Sequence, residues 1–256
     1  MRDVRIMTPR GLALSGSFTN PVDSGDAAIL FSHSFLANRR SGKHFDRLGR
    51  AYRSAGYATL AFDFSGHGTS PDGIIIRESL IEDLRAASGW LADQGFTRQI
   101  VHGHSFGALV ALAAHPTHVK TMVLSSPVLG PRTYDWEAIF SQSQLDELEV
   151  HGVTTIPDDL PGPRQNFMIS KQTLVDLSMV NTKEVLSAQV SPLLIIHDRD
   201  DVEAGLVDVT QNAFAHLPDG SRVEIVHDAR FGRGERPEAL ADPAVEWARQ
   251  WVPVAG

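Results

Sequence analysis

Short apolar runs punctuate the chain, and segments with helical spacing lie between them. Asp26-Ala-Ala-Ile-Leu-Phe-Ser32, Tyr57-Ala-Thr-Leu-Ala-Phe-Asp63, Arg98-Gln-Ile-Val-His102, Thr121-Met-Val-Leu-Ser125 and Pro192-Leu-Leu-Ile-Ile-His197 are such runs. Each reads as a strand buried on both faces. Residues 3–17 read as two further strands around a turn at Pro9-Arg10-Gly11, and Arg222-Val-Glu-Ile-Val226 reads as the last strand. A helix is predicted over 43–55 from Phe45, Leu48 and Tyr52, with Gly56 as its stop. Leu80, Ile81, Leu84, Ala87 and Leu91 form one face of the next, and Ser79-Leu-Ile-Glu82 is a candidate capping box for it. Ala108–Ala114, about 205–217, and a segment with Ala244, Trp247, Ala248, Trp251 and Val252 on one face complete the helices. Strands alternating with helices predict an α/β fold, with a mainly parallel sheet doubly covered by helices. An active site is then expected at the carboxyl ends of the strands.

Residues 131–190 break this rhythm. They hold prolines at 131, 157, 161 and 163, two helical stretches near 134–149 and 168–187, and no evident buried strand. The expectation is a core made of 1–130 and 191–256, with 131–190 inserted as a helical lid. Trp136, Phe140, Phe167 and Met168 are available there to wall an apolar pocket.

Composition narrows the functions. The 256 residues carry a net charge of −8 and no basic cluster, which argues against nucleic acid or an anionic membrane as partner. The absence of cysteine excludes disulfides and thiol catalysis. The first ten residues lack the apolar core of a signal peptide, and no run reaches membrane-spanning length, so a cytoplasmic protein is expected. No histidine pair has helical metal-ligand spacing beside a matching acid, so neither metal nor cofactor is implied. A homodimer is left open.

The chemistry centres on Gly103-His104-Ser105-Phe106-Gly107, a G-x-S-x-G sequence between a strand and a helix. That context makes it a nucleophile elbow. The turn lifts the Ser105 hydroxyl above the sheet and aims the Phe106 N–H at the point where an oxyanion forms.

These residues resemble the α/β-hydrolase superfamily. More narrowly they resemble single-domain serine esterases with a small lid, of the feruloyl-esterase-like and dienelactone-hydrolase-like kind. The resemblance rests on the His33-Ser34-Phe35 turn, the Asp63-Phe-Ser-Gly-His-Gly-Thr-Ser70 loop, the elbow and the Leu-Ile-Ile-His-Asp-Arg-Asp-Asp201 turn. It implies an α/β-hydrolase fold and attack by Ser105 on a carboxylic ester or related acyl group, through an acyl-enzyme. It also implies oxyanion donation by Phe35 and Phe106 and an acid at Asp201, for which Asp198 and Asp200 compete. His33, Asp63 and His67 take structural roles.

The histidine of the triad is where the chain departs from the pattern. The family ends its last core strand with a turn resembling Gly-Ala-Asp-His-x-Phe, whereas this chain reads Val226-His227-Asp228-Ala229-Arg230-Phe231. Aligning Asp228 and Phe231 puts Ala229 at the histidine position. The chain is then an engineered base-deleted variant, or a natural relative with lost or altered chemistry, or His227 serves through a shifted turn. A non-hydrolytic protein of the same fold, binding a ligand or catalysing cyclisation or rearrangement, is the alternative function. A haloalkane- or epoxide-acting relative is disfavoured, because those carry aspartate at the elbow.

Overall fold

The computed structural model describes residues 1–21, 25–40, 44–159, 162–231, 236 and 238–254. Its strands are β1 (Arg2–Met7), β2 (Ala13–Thr19), β3 (Ala27–Ser32), β4 (Ala58–Phe62), β5 (Arg98–His104), β6 (Val119–Ser125), β9 (Leu193–Asp198) and β10 (Arg222–Val226), joined by a separate pair, β7 (Val153–Pro157) and β8 (Asn166–Ser170). The main sheet has eight strands in the order β1-β2-β4-β3-β5-β6-β9-β10. β1 and β2 pair antiparallel, as do β2 and β4, and every other neighbour is parallel. From β3 the chain steps outward to β4 and then returns to the other side as β5. This reversal leaves a crevice beyond the carboxyl ends of β3 and β5, where open α/β sheets bind ligands.

Successive side chains of the central strands point to opposite faces, and both faces are apolar. On one, Leu30, Leu60, Val101, Leu124 and Ile195 pack under α2 (Arg77–Asp93) and α3 (Phe106–Ala114). On the other, Ile29, Phe31, Ile100, Val123 and Ile196 pack under α1 (His44–Ser54) and α10 (Glu238–Trp251). Tyr52 of α1 and Trp247 of α10 are among the largest fully buried side chains there.

The doubly covered parallel sheet agrees with the sequence pattern; two local readings do not. Ser79-Leu-Ile-Glu82 is no capping box. The helix starts earlier, at Arg77, and its N-cap residue Ile76 supplies no side-chain bond. Instead the Arg77 N–H donates to the carboxylate of Asp176, 2.7 Å away, on α6 (Lys171–Ser178). An acceptor distant in sequence satisfies the helix end.

The second difference lies between β6 and β9. This stretch contains α4 (Trp136–Ile139), α5 (Gln142–His151), α6 and α7 (Thr182–Ser187), but also the antiparallel β7–β8 hairpin. The strands were hidden because each is five residues long and only alternate positions, such as Phe167 and Ile169, are buried. The hairpin and the helix after it are stitched to the core: the Ile75 N–H donates to the Met168 carbonyl of β8, and the Thr173 hydroxyl of α6 to the Ile75 carbonyl. Arg164, with 7% of its side chain exposed, pairs with Asp72 and donates to the Gly68 and Ser70 carbonyls. Two further α-helices, α8 (Arg199–Glu203) and α9 (Leu206–Asn212), follow β9.

The tightest backbone approach joins α3 to β3. A Cβ on Gly107 would collide with the Ser32 and His33 carbonyl oxygens, and the Ser32 hydroxyl donates to the Gly107 carbonyl at 2.8 Å. Gly11, by contrast, adopts φ +79° in open space. Gly107→Ala is therefore expected to cost about 3 kcal/mol through overpacking, against about 1 kcal/mol for the left-handed penalty of Gly11→Ala. Thermal melts of the two variants check this; equal shifts would contradict it.

Candidate active site

Ser105 stands between β5 and α3 with φ 52° and ψ −119°, a conformation uncommon for a residue with a side chain. Neighbouring contacts hold it there. Its N–H donates to the Ser125 carbonyl at 2.9 Å, and its carbonyl accepts from the Ala108 N–H at 3.0 Å. A Cβ on Gly103 would lie 2.7 Å from the Ala108 Cα, so both glycines of the elbow are sterically required. Phe106 opens α3, so its N–H has no partner within the helix, and the positive end of the helix dipole lies at Ser105.

Facing Ser105 is a cavity of about 350 Å³. Its floor is Ser105, Phe106 and Leu109, and its side is the β3 loop with Ser34, Phe35 and Leu36. Tyr134, Trp136, Phe140, Ile169 and Leu177 close it from the inserted segment. Among the described residues no charged side chain lines it. Of the four residues singled out for a pocket wall, Trp136 and Phe140 serve. Phe167 instead packs against His67, and Met168 is partly exposed.

The Phe35 loop is set by His33, which is 1% exposed. Its Nδ1–H donates to the Ser34 carbonyl at 2.9 Å, and its Nε2 accepts from the Phe64 N–H at 3.2 Å. This pattern requires a neutral ring. Burial lowers its pKa, against an opposing pull from Asp63. Asp63 is occupied by Arg39, whose guanidinium and N–H both reach it, and by the Thr69 N–H. His67 donates from Nδ1 to the Ser65 carbonyl, and burial holds its pKa well below the usual range. All three side chains bond loop backbone.

At the end of β9, Asp201 is buried, and its carboxylate accepts from His197 Nδ1 at 2.9 Å and the Asp198 N–H at 3.2 Å. His197 Nε2 bonds the Thr210 hydroxyl at 2.8 Å. Asp198 is also buried and accepts from the Asp201 and Phe231 N–H groups, while burial raises its pKa. Asp200 is turned outward to Arg230. Of the three candidate acids, then, Asp201 and Asp198 face inward and Asp200 does not.

In the β10 turn, position 229 carries a methyl group and no imidazole. The Ala229 side chain is fully buried and its carbonyl accepts from the Arg199 N–H at 3.1 Å. His227 is exposed in the turn, and no described contact links it to Ser105. Phe231 is buried, with its ring 6.3 Å from that of His44. No described side chain hydrogen-bonds the Ser105 hydroxyl.

Sequence reasoning missed the polar cluster beside the elbow. His102 bonds the Tyr52 hydroxyl at 2.9 Å through Nδ1, and His104 Nδ1 lies 3.1 Å from the Ser125 hydroxyl. The His44 ring lies 5.2 Å from that of His104, and its Nε2 is buried without a partner among the described residues. Burial, then the neighbouring His104, lowers the His44 pKa to about 3. His102 and His104 carried a faint signal in flanking Gly103, but nothing in the sequence joins them to His44. Among the described residues no group of three or more His, Asp or Glu is placed to hold a metal ion, and no helix is long and apolar enough to cross a membrane.

Comparison with known proteins adds to this geometry. The family model described as serine aminopeptidase, S33 (Hydrolase_4), matches residues 24–213. Lysophosphatidylserine lipase ABHD12 of Macaca fascicularis is 27% identical over 191 residues, covering 72% of this chain and 44% of that protein. The Mus musculus lipase of the same name is 26% identical over 191 residues, with coverage of 72% and 44%. The chain thus spans less than half the length of these curated relatives. Among solved structures, the α/β hydrolase GrgF from Penicillium sp. sh18 superposes with a TM-score of 0.78 at 18% identity, covering 98% of each chain. The Pyrococcus furiosus esterase Pf2001 gives a TM-score of 0.71 at 21% identity, covering 98% of this chain and 90% of that one. These likenesses establish an α/β-hydrolase fold.

His33, His67 and His102 are buried and neutral in the fold, their pKa values lowered by burial. Unfolded, they would protonate near pH 6.5, so as pH falls through that value the unfolded chain takes up protons that the native chain refuses. Stability should fall by up to ~1.4 kcal/mol per pH unit per histidine. The urea midpoint should be lower at about pH 5.5 than at about pH 7.5; an unchanged midpoint would contradict the neutral assignments.

Proposed function

The chain belongs to the Hydrolase_4 family, and from that premise we propose that it is a serine hydrolase of apolar carboxylic esters with a weakened catalytic base. The observation that carries this reading is the Ser105 hydroxyl on its elbow, facing an uncharged cavity of about 350 Å³. The hydroxyl attacks the ester carbonyl, its proton passing through a base or solvent to the oxygen of the departing alcohol. The N–H groups of Phe35 and Phe106 receive the developing oxyanion, aided by the α3 dipole. The alcohol leaves, and water releases the acid from the acyl-enzyme. Asp201 is the acid of the triad and Ala229 the position its histidine would hold, with His227 as the alternative base. The buried Phe231, tied through its N–H to Asp198, marks a second position on the same turn from which an imidazole could reach inward.

Without an imidazole at 229, Ser105 stays protonated. Loss of a triad histidine costs several powers of ten in turnover, while binding and oxyanion stabilisation persist. The aminopeptidase activity in the family's description is not carried over. A free ammonium would have to shed its water in a cavity that offers no carboxylate, which is prohibitive. The same argument favours a small-lid esterase of feruloyl-esterase-like or dienelactone-hydrolase-like build only for uncharged acyl parts. The substrate is a small molecule, and the proposed location is the cytoplasm.

One observation favours the non-hydrolytic alternative. His197 and the Asp198 N–H already satisfy one oxygen of the Asp201 carboxylate, so the acid is held without a catalytic histidine. A cavity tuned to binding, cyclisation or rearrangement would need no more.

Turnover of a chromogenic octanoate ester separates the readings. The native chain should be slow, and Ser105→Ala should abolish what activity there is. Ala229→His or Phe231→His should raise kcat/KM by about 10²-fold or more. Fast native turnover lost in His227→Ala would identify His227 as the base, and no turnover in any variant would favour the non-hydrolytic protein.

A further inference from the structure

The aromatic rings at one wall of the cavity carry an inference about what fills it. Tyr134 and Trp136 stack with centroids 4.7 Å apart and planes 25° apart, and Trp136 stacks on Phe140 at 5.7 Å and 20°. All three line the cavity. The nearly parallel rings make one continuous slab. It is rooted at the Phe140 end, which is 6% exposed and packs with Leu148 and Ile169. Its middle ring is carried by α4, a single turn capped by Asp135, whose carboxylate accepts from the Ala138 N–H at 3.1 Å. A hydrocarbon chain can lie along such a surface but cannot pass through it.

Phe35 and Phe106, packed edge to face at 5.9 Å, add further aromatic lining. Aliphatic side chains from several elements complete the lining, among them Leu109 of α3, Ile156 of β7, Ile169 of β8 and Leu177 of α6. Among the described residues, the polar side chains of the lining besides Ser105 are Ser34, Tyr134 and the indole of Trp136. A ligand with polar groups along its length would lose hydration with little to replace it. An alkyl chain would gain ~0.8 kcal/mol for each methylene buried.

Size sets the length. A cavity of about 350 Å³, at roughly 30 Å³ per methylene-sized unit, takes about twelve non-hydrogen atoms when filled. We infer that this site takes an unbranched, uncharged acyl group of about ten carbons, and that Trp136, at the centre of the Tyr134–Trp136–Phe140 slab, determines where the chain must stop. The inference rests on the reading of Ser105 and its cavity as an acyl site and adds the acyl class to it. Trp136 acts as a specificity-determining residue and takes no part in the bond-making.

Binding tests this without any need for turnover. Straight-chain primary amides of about four to about sixteen carbons serve as uncharged probes in calorimetric titration. Kd should fall about fourfold per added methylene and stop improving near ten carbons. Trp136→Ala removes an indole from the wall and should move that break upward by about four carbons. Trp136→Phe keeps a ring in the stack and should leave the break within about two carbons of its native place. Affinity that keeps improving to the longest amide in the native chain would overturn the inference. So would a break that stays in place in a folded Trp136→Ala variant. A clear break in a protein that hydrolyses no ester would sink the hydrolase reading alone; ester turnover with no break would sink this one alone.

Discussion

The close contact between Gly107 of α3 and the end of β3 is the constraint on which the rest of the molecule depends. With no side chain between them, α3 settles against the Ser32 and His33 carbonyls, and the turn before it has no room for a relaxed backbone. Ser105 is therefore left at positive φ with its hydroxyl outward. The same contact brings the β3 loop, and with it Phe35, alongside the start of α3. The proposed nucleophile, the proposed oxyanion donors and the cavity floor thus follow from one steric fact at the reversal point of the sheet.

Around that point the polar groups are arranged to hold still rather than to react. His33 bridges the Ser34 carbonyl and the Phe64 N–H, Asp63 is saturated by Arg39 and Thr69, and Asp201 is pinned by His197. Burial keeps the first of these neutral. On the proposed reading, such a site is well prepared to bind and to stabilise negative charge, yet poorly supplied with a group that takes a proton from serine. In that reading, the imbalance separates this chain from a family member with a histidine at position 229. It follows from one turn, in which Ala229 and Phe231 face inward and His227 does not.

Much of this was legible in the sequence because it is local. Runs such as Asp26–Ser32 are buried on both faces whatever their neighbours, and the elbow is defined within five residues and its flanking strand and helix. What could not be read depends on distant partners. The start of α2 is capped by Asp176, about a hundred positions away, so its own Ser79 and Glu82 misled. The β7–β8 hairpin has strands too short and too half-buried to stand out beside proline-rich loops. Asp201 was legible as a candidate acid, but its engagement by His197 and Thr210 depends on how β9 meets α9. His44 gave no sign at all, because only the fold sets its ring beside His104.

The central claim is that the Ser105 hydroxyl, two amide donors and the apolar cavity form a single acyl site. A crystal structure of the chain with an alkylboronic acid bound tests it most directly. The account predicts boron bonded to Ser105 Oγ, one boronate oxygen between the Phe35 and Phe106 N–H groups, and the alkyl chain lying in the cavity beneath Trp136. An alkyl chain bound elsewhere, or a boronate that leaves Ser105 untouched while the chain is folded, would contradict it.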